Sequence, residues 1–158
     1  IKIGLSHEEA NILKMVSPMH DVGKIGISDA ILLKPAKLTT DEFERMKDHS
    51  TIGYDILKGT GKKTLDIAAL VAYEHHEKWD GTGYPLKKKG EEITMYGRIT
   101  ALIDVFDALA NKRCYKDAWN QTEIIDYINS QKSKQFDPKL VEVFLENFDD
   151  FVEIQKKY

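Results

Sequence analysis

The sequence predicts an all-α domain, and three observations carry that reading. Apolar residues recur in steps of three and four almost throughout, Ser or Thr followed three residues later by Glu marks helix starts, and no period-2 run exceeds a few residues. The chain has 158 residues, of which 42% are hydrophobic and 31% charged, enough to bury one core. Residues 1–158 therefore read as one domain.

Each element follows from its punctuation. Ser6 with Glu9 forms a capping box, and the helix it opens carries Ile12, Leu13 and Val16 inward until Pro18 bends or ends it just before His20-Asp21. Val22 to Leu38, with Gly23, Gly26 and Pro35, reads as a loop. Thr39 with Glu42 opens a second helix to about Lys58, whose inward stripe reads Phe43, Met46, His49, Gly53, Ile56 and Leu57. Gly59 and Gly61 stop it. A third helix is expected from Lys63 to about Glu77, then a turn-rich stretch from Trp79 to Thr94. Met95 to about Lys112 has apolar residues over most of its circumference and reads as the central buried helix. Asn120 with Glu123 suggests a further start. Asp137-Pro138 is an N-cap and first-turn pair, after which Leu140, Val141, Phe144, Leu145 and Phe148 share a face.

Composition narrows the function. Lys+Arg 23 against Asp+Glu 26 gives a net charge of −3, which argues against a nucleic-acid polymer held on a broad basic face. Cys114 is the single cysteine, so no internal disulfide forms, and a reducing, cytoplasmic setting is expected. The most apolar stretch, Ile99 to Ala110, is interrupted by Asp104 and Asp107, so membrane insertion is not expected. The start at Ile1 looks like a piece of a longer polypeptide.

His20-Asp21, His49, His75-His76 and Asp104 recur at intervals of about one helix plus one connection. Such spacing lets successive helices deliver ligands to one point inside a bundle. Imidazole with carboxylate suits a divalent transition metal, with Fe, Mn and Zn all admissible. Each residue alone has a plainer reading. His49 could be a core histidine bonded to a carbonyl, Asp104 half of a salt bridge, and His75-His76 a helix-end pair facing the dipole. The coincidence of all of them favours metal. Asp104, among Ile103, Val105 and Phe106, would cost several kcal/mol to bury unpaired. His7, beside Glu8 and Glu9, reads as a solvated surface residue.

The words themselves resemble a known family. His20-Asp21-Val22-Gly23-Lys24 with Ile25-Gly26-Ile27 resembles the signature of the HD metal-dependent phosphohydrolase superfamily, and His75 through Pro85 resembles the mark of its HD-GYP branch. Gly97-Arg98-Ile99, Ile103 through Leu109 and Arg113-Cys114-Tyr115-Lys116 continue the pattern in order. The resemblance runs from about Leu5 to Phe144. It implies an HD-type helical bundle with extra C-terminal helices, two or three divalent ions, iron or manganese, and hydrolysis of the bacterial second messenger cyclic di-GMP. It also implies that His20, Asp21 and Asp104 hold one ion, that Asp21 bridges to a second held with His49 and His75, and that His76 points to a third or completes the second. Lys24 would lie beside the scissile phosphate, and Asp107, Arg113 and Lys116 would face the nucleotide. Lys24, Arg98, Arg113 and Lys116 would supply local positive charge for an anionic substrate.

For Arg113 and Lys116 the alternative is a helix C-terminus whose carbonyls attract cations. Gly83-Tyr84-Pro85 is a rigid turn whose Tyr84 phenol offers a lid wall or a stacking surface for a base, or it is a structural turn alone, and the resemblance links it to contact with a GGDEF cyclase domain. Lys87-Lys88-Lys89 reads as a solvated charge run. Relatives carry an earlier helix bringing a glutamate and a histidine to the metals. It would fall before Ile1, leaving water or another carboxylate to complete the first ion's shell. Cys114 stands where the family commonly has proline. An upstream sensor or receiver domain is expected. Three functions follow in order: a cyclic di-GMP phosphodiesterase giving linear pGpG, with pGpG or GMP as the final product, a phosphodiesterase of another cyclic dinucleotide such as cyclic GMP-AMP, and a non-catalytic nucleotide receptor or cyclase-interaction module.

Overall fold

The computed structural model describes residues 3–111, 118–155 and 157. Its helices are α1 (His7–Val16), α2 (Asp29–Leu32), α3 (Thr40–Leu57), α4 (Lys63–Glu74), α5 (Met95–Ala110), α6 (Gln121–Ser130), α7 (Pro138–Glu146) and α8 (Phe148–Gln155). Short 3-10 turns occupy Ser17–Met19, Val22–Gly26 and Gly90–Glu92. The described residues contain no β-strand, only an isolated bridge between Lys132 and Phe136. None of their helices is long and apolar enough to cross a membrane.

Helix starts fall where local chemistry puts them. Ser6, Thr39 and Asn120 each accept from the amide three residues on, and Glu9, Glu42 and Glu123 return the bond to the cap amide at 2.9, 2.7 and 2.9 Å. Asp137 accepts from Lys139 N at 2.8 Å ahead of Pro138. Each cap contributes about 1 kcal/mol.

Two apolar clusters form. In one, α1, α3 and α4 pack through Leu13, Val16, Leu57, Ala68, Val71 and Ala72. In the other, the C-terminal half of α5 packs with α6, α7 and α8 through Phe106, Ile128, Val141, Phe144 and Phe148. Ile99 of α5 touches both, so that helix is the shared spine.

Four expectations need correction. The stretch expected as a loop from Val22 holds the turn Val22–Gly26 and the short α2. α4 ends at Glu74, so His75, His76 and Glu77 follow the helix. On α3, Phe43 and Ile56 are 47% and 50% exposed, because only the face through His49, Ser50, Gly53 and Leu57 meets its neighbours. Finally, the last apolar face is split at Asn147, which caps α7 through its Nδ2 on Val143 O at 2.7 Å, so Phe148 opens α8.

Candidate metal centre

Close backbone approach assembles the site. A Cβ on Gly23 would lie 1.9 Å from His49 O and 2.4 Å from Gly53 N, so only glycine lets the His20–Gly26 segment lie on α3. A Cβ on Gly53 would meet Ala72 Cβ at 3.1 Å and Gly23 N at 3.3 Å, so α4 and the Val22–Gly26 turn both close on this glycine.

Three histidines repeat one arrangement. His20 Nδ1 donates to Ser17 O at 2.7 Å, His49 Nδ1 to Met46 O at 2.7 Å, and His75 Nδ1 to Ala72 O at 3.0 Å. A carbonyl only accepts, so each ring carries its proton on Nδ1 when neutral and turns the lone pair of Nε2 outward. All three Nε2 atoms converge on Asp21. His20 Nε2 is 3.3 Å from Asp21 Oδ2, while His49 Nε2 and His75 Nε2 are 3.5 and 3.9 Å from Asp21 Oδ1. Asp104 Oδ1 lies 3.7 Å from His20 Nε2, with its side chain 31% exposed, so the burial cost expected for it is only partly incurred. His49 meets the plain reading through Nδ1, which bonds a carbonyl, while its Nε2 faces Asp21, the arrangement that the functional reading requires.

The donor set fits a cation. His49 Nε2 and His75 Nε2 stand 3.3 Å apart, and with both protons committed to Nδ1 they oppose two lone pairs beside a carboxylate. A bound cation turns that repulsion into attraction. His49, His75 and His76 can also offer ligand atoms that all lie within 4.8 Å of one another.

Electrostatics agree. Burial pushes His75 down to about 3, helped by the charges of His20 and His49, and burial likewise pushes His76 down to about 2. Both are held as neutral imidazoles, the form that ligates metal. The hydrogen bond to Asp21 raises His20. Burial works against the Asp21 charge, but hydrogen bonds from His20 and Lys24 outweigh it and hold the carboxyl below its usual range. Lys24 Nζ reaches Asp21 Oδ2 at 2.6 Å.

Tyr84 stacks on His76 with ring centroids 4.7 Å apart at 27°, and Lys47 Nζ lies 5.4 Å from the Tyr84 centroid. Burial, then the charges of Asp21 and Asp104, raise the Tyr84 phenol, which stays protonated. Gly83 packs so tightly on the turn before it that an added Cβ would meet Lys78 N at 2.4 Å. His20, Asp21, Lys24, His49, His75, His76, Asp104 and Tyr84 are thus brought together. Asp107 is exposed at the end of α5 and accepts from Asn111 Nδ2 at 2.8 Å. Arg113, Cys114 and Lys116 lie outside the described residues. Arg98 leaves the expected positive set: it pairs with buried Asp137 at 2.6 Å, so its charge is already matched.

Two residues not singled out by the sequence flank the histidines. Glu74 and Glu77 are both buried. Lys88 Nζ reaches Glu74 Oε1 at 2.5 Å, so the lysine run is not merely solvated. A pair of acids around His-His, followed by a loop lysine, was the available signal.

The sequence model of the HD domain family matches residues 2–140. The chain is 47% identical to a 3′3′-cGAMP-specific phosphodiesterase 2 of Vibrio cholerae serotype O1, over 96% of this chain and 29% of that protein. It is 46% identical to the cyclic di-GMP phosphodiesterase response regulator RpfG of Xanthomonas campestris, over 91% of this chain and 38% of that protein. A cyclic di-GMP phosphodiesterase of Thermotoga maritima is 40% identical, over 99% and 42%. The chain therefore spans well under half the length of these relatives. A solved structure of a V. cholerae cyclic GMP-AMP phosphodiesterase matches with a TM-score of 0.66 at 22% identity, over 93% of this chain and 40% of that one, a likeness of fold.

Proposed function

The chain belongs to the HD domain family, and on that premise we propose that it is a metal-dependent phosphodiesterase that opens cyclic di-GMP to linear pGpG. The observation that carries the reading is the convergence of three Nε2 lone pairs on Asp21, with Lys24 on the same carboxylate. His20, Asp21 and Asp104 would hold one ion, Asp21, His49 and His75 a second, and His76 a third or the remainder of the second; iron or manganese suits the ligands. When bound, such ions supply an acidified water and neutralise charge on the oxygens of an in-line displacement.

The chain's own groups do the rest. Asp21 positions Lys24 at the edge of the centre, where its ammonium neutralises charge growing on phosphorus and can hand a proton to the leaving 3′ oxygen. Tyr84 offers a ring face to a base. Asp107, Arg113 and Lys116 are assigned to the nucleotide by resemblance.

The relative named for 3′3′-cGAMP, at 47% identity, supports a second reading in which cyclic GMP-AMP is the substrate. The relative named as a response regulator supports a receiver upstream, and a GGDEF cyclase domain is the proposed partner of the Gly83-Tyr84-Pro85 loop.

Anaerobic incubation of iron- or manganese-loaded protein with each cyclic dinucleotide, with products separated by chromatography, tests this. Linear product from cyclic di-GMP is expected, abolished together with metal content in Asp21→Ala. Lys24→Ala is expected to keep its metal and lose about 100- to 1,000-fold in rate. Full activity and metal in Asp21→Ala would sink the assignment. Binding of nucleotide without turnover by the loaded protein would favour a receptor.

A further inference from the structure

Glu74 and Glu77 place their carboxylates not on the histidines between them but on the loop that follows. Glu77 Oε1 accepts from Leu86 N at 2.6 Å and Oε2 from Lys88 N at 3.0 Å. Glu74 Oε1 accepts from Lys88 Nζ at 2.5 Å, and Oε2 accepts from Thr94 N at 2.8 Å and Thr94 Oγ1 at 2.5 Å. Lys88 is thus bound to both acids, by its backbone to one and by its ammonium to the other. Between these anchors the chain doubles back, Tyr84 N donates to His76 O at 3.2 Å, and the Tyr84 ring comes down on His76.

Stability does not explain this arrangement. Desolvating two carboxylates and an ammonium offsets most of what their attraction returns, and apolar residues of similar volume would hold a surface loop as well. Directional bonds to named amides do something apolar contact cannot, which is to fix where the loop backbone runs. The loop positions one ring, and that ring covers one histidine of the centre.

We propose that Glu74, Glu77 and Lys88 are positioning residues that hold Tyr84 as a fixed wall of the nucleotide site, setting affinity for the cyclic dinucleotide and leaving the metal chemistry alone. The inference rests on the phosphodiesterase reading. It separates two quantities that a merely structural role would move together: use of a substrate that carries bases, and use of a small diester that needs only the centre.

The test compares wild type, Lys88→Met, Lys88→Arg and Glu77→Gln, metal-loaded, on cyclic di-GMP and on bis(p-nitrophenyl) phosphate. Lys88→Met keeps the stem and removes the charge. Glu77→Gln turns an NH2 group toward one of two amide donors and so loses one bond. Both are expected to raise KM for cyclic di-GMP about tenfold, the effect of one lost hydrogen bond of ordinary strength, with kcat, metal content and small-diester turnover unchanged. Lys88→Arg is expected to restore KM. In metal-free protein, trypsin is expected to cut at Lys87 or Lys89 faster in Lys88→Met and Glu77→Gln than in wild type. Unchanged KM and unchanged protection in both variants would overturn the proposal, as would equal losses on the two substrates with loss of metal. If wild type turns over the small diester but neither cyclic dinucleotide, the substrate reading fails, while the trypsin comparison still reports on the anchors.

Discussion

The two halves of this molecule are packed by opposite means. Around the candidate metal centre the closest contacts are made by small residues: Gly23 lies against His49 O, Gly53 faces Ala72, and Ala68, Ala69 and Ala72 are buried along α4. In the C-terminal half, Phe106 meets Phe144, Phe148 and Phe151 edge to face at 5.3, 6.0 and 6.1 Å. Such ring pairs add about 0.5–1.5 kcal/mol each beyond the area they bury. The first half gives up side-chain volume so that backbones approach and histidines from separate elements meet. The second half holds the bulk that the first lacks. α5 joins them, with Ile99 packed on both sides and Asp104 facing His20. Stability and chemistry are therefore supplied from different places along one helix, and each should be breakable without the other.

The harshest way to break the first half is Gly23→Ala. The added methyl would overlap backbone atoms, His49 O and Gly53 N, which have no side-chain freedom to move aside. The segment bearing His20 and Asp21 must lift from α3, and the Nε2 convergence is lost. The expected outcome is a helical protein by circular dichroism that no longer binds iron or manganese stoichiometrically. Wild-type metal content in this variant would show that close approach does not set the ligand geometry.

Phe144→Ala strikes the other half. Truncating a buried Phe costs about 3–5 kcal/mol, or a fall of about 10 °C in Tm for a chain of this size. Metal stoichiometry in the folded fraction should be unchanged. If metal affinity fell along with Tm, the division of labour would be wrong and the two clusters would act as one.

That division was only partly legible in the sequence. Caps are local, so Ser6, Thr39, Asn120 and Asp137 announced their helices correctly. The spacing of His20-Asp21, His49, His75-His76 and Asp104 led to the expectation that successive elements bring them to one point, and they do meet there. What failed to show was whatever depends on a distant neighbour. A helical period finds a face on α3 but not where its neighbours stop, so Phe43 and Ile56 read as core. Glu74 reads as an ordinary acid near a helix end. Its burial depends on Thr94 and on Gly97, where an added Cβ would come 2.6 Å from Glu74 Cβ, and neither partner can be identified from Glu74 itself. Arg98 likewise reads as a substrate cation until Asp137, far along the chain, is seen beside it.

The smallest expected effect sharpens the comparison through pH. In metal-free protein, burial holds His75 and His76 at about 3 and about 2, against about 6.5 in an unfolded chain. Below pH 6.5 the unfolded chain therefore binds protons that the folded one refuses, and stability declines as pH falls. Asp21, whose carboxyl is held low against the cost of burial by His20 and Lys24, adds to the decline only below its unfolded value near 3.8. His20 works the other way: its raised value gives stability that is fully present below 6.5 and lost as pH rises through the folded value. Two lowered histidines against one raised leave a net decline between pH 7 and 5. With chelator present, Tm should drop steadily across that window. Replacing His76 with Gln should flatten the slope, because it removes one of the two groups that refuse a proton, whereas Phe144→Ala should lower the whole curve without changing its slope. A Tm that rises on acidification would mean that His20 outweighs the buried pair, and that the centre without metal is organised around a proton.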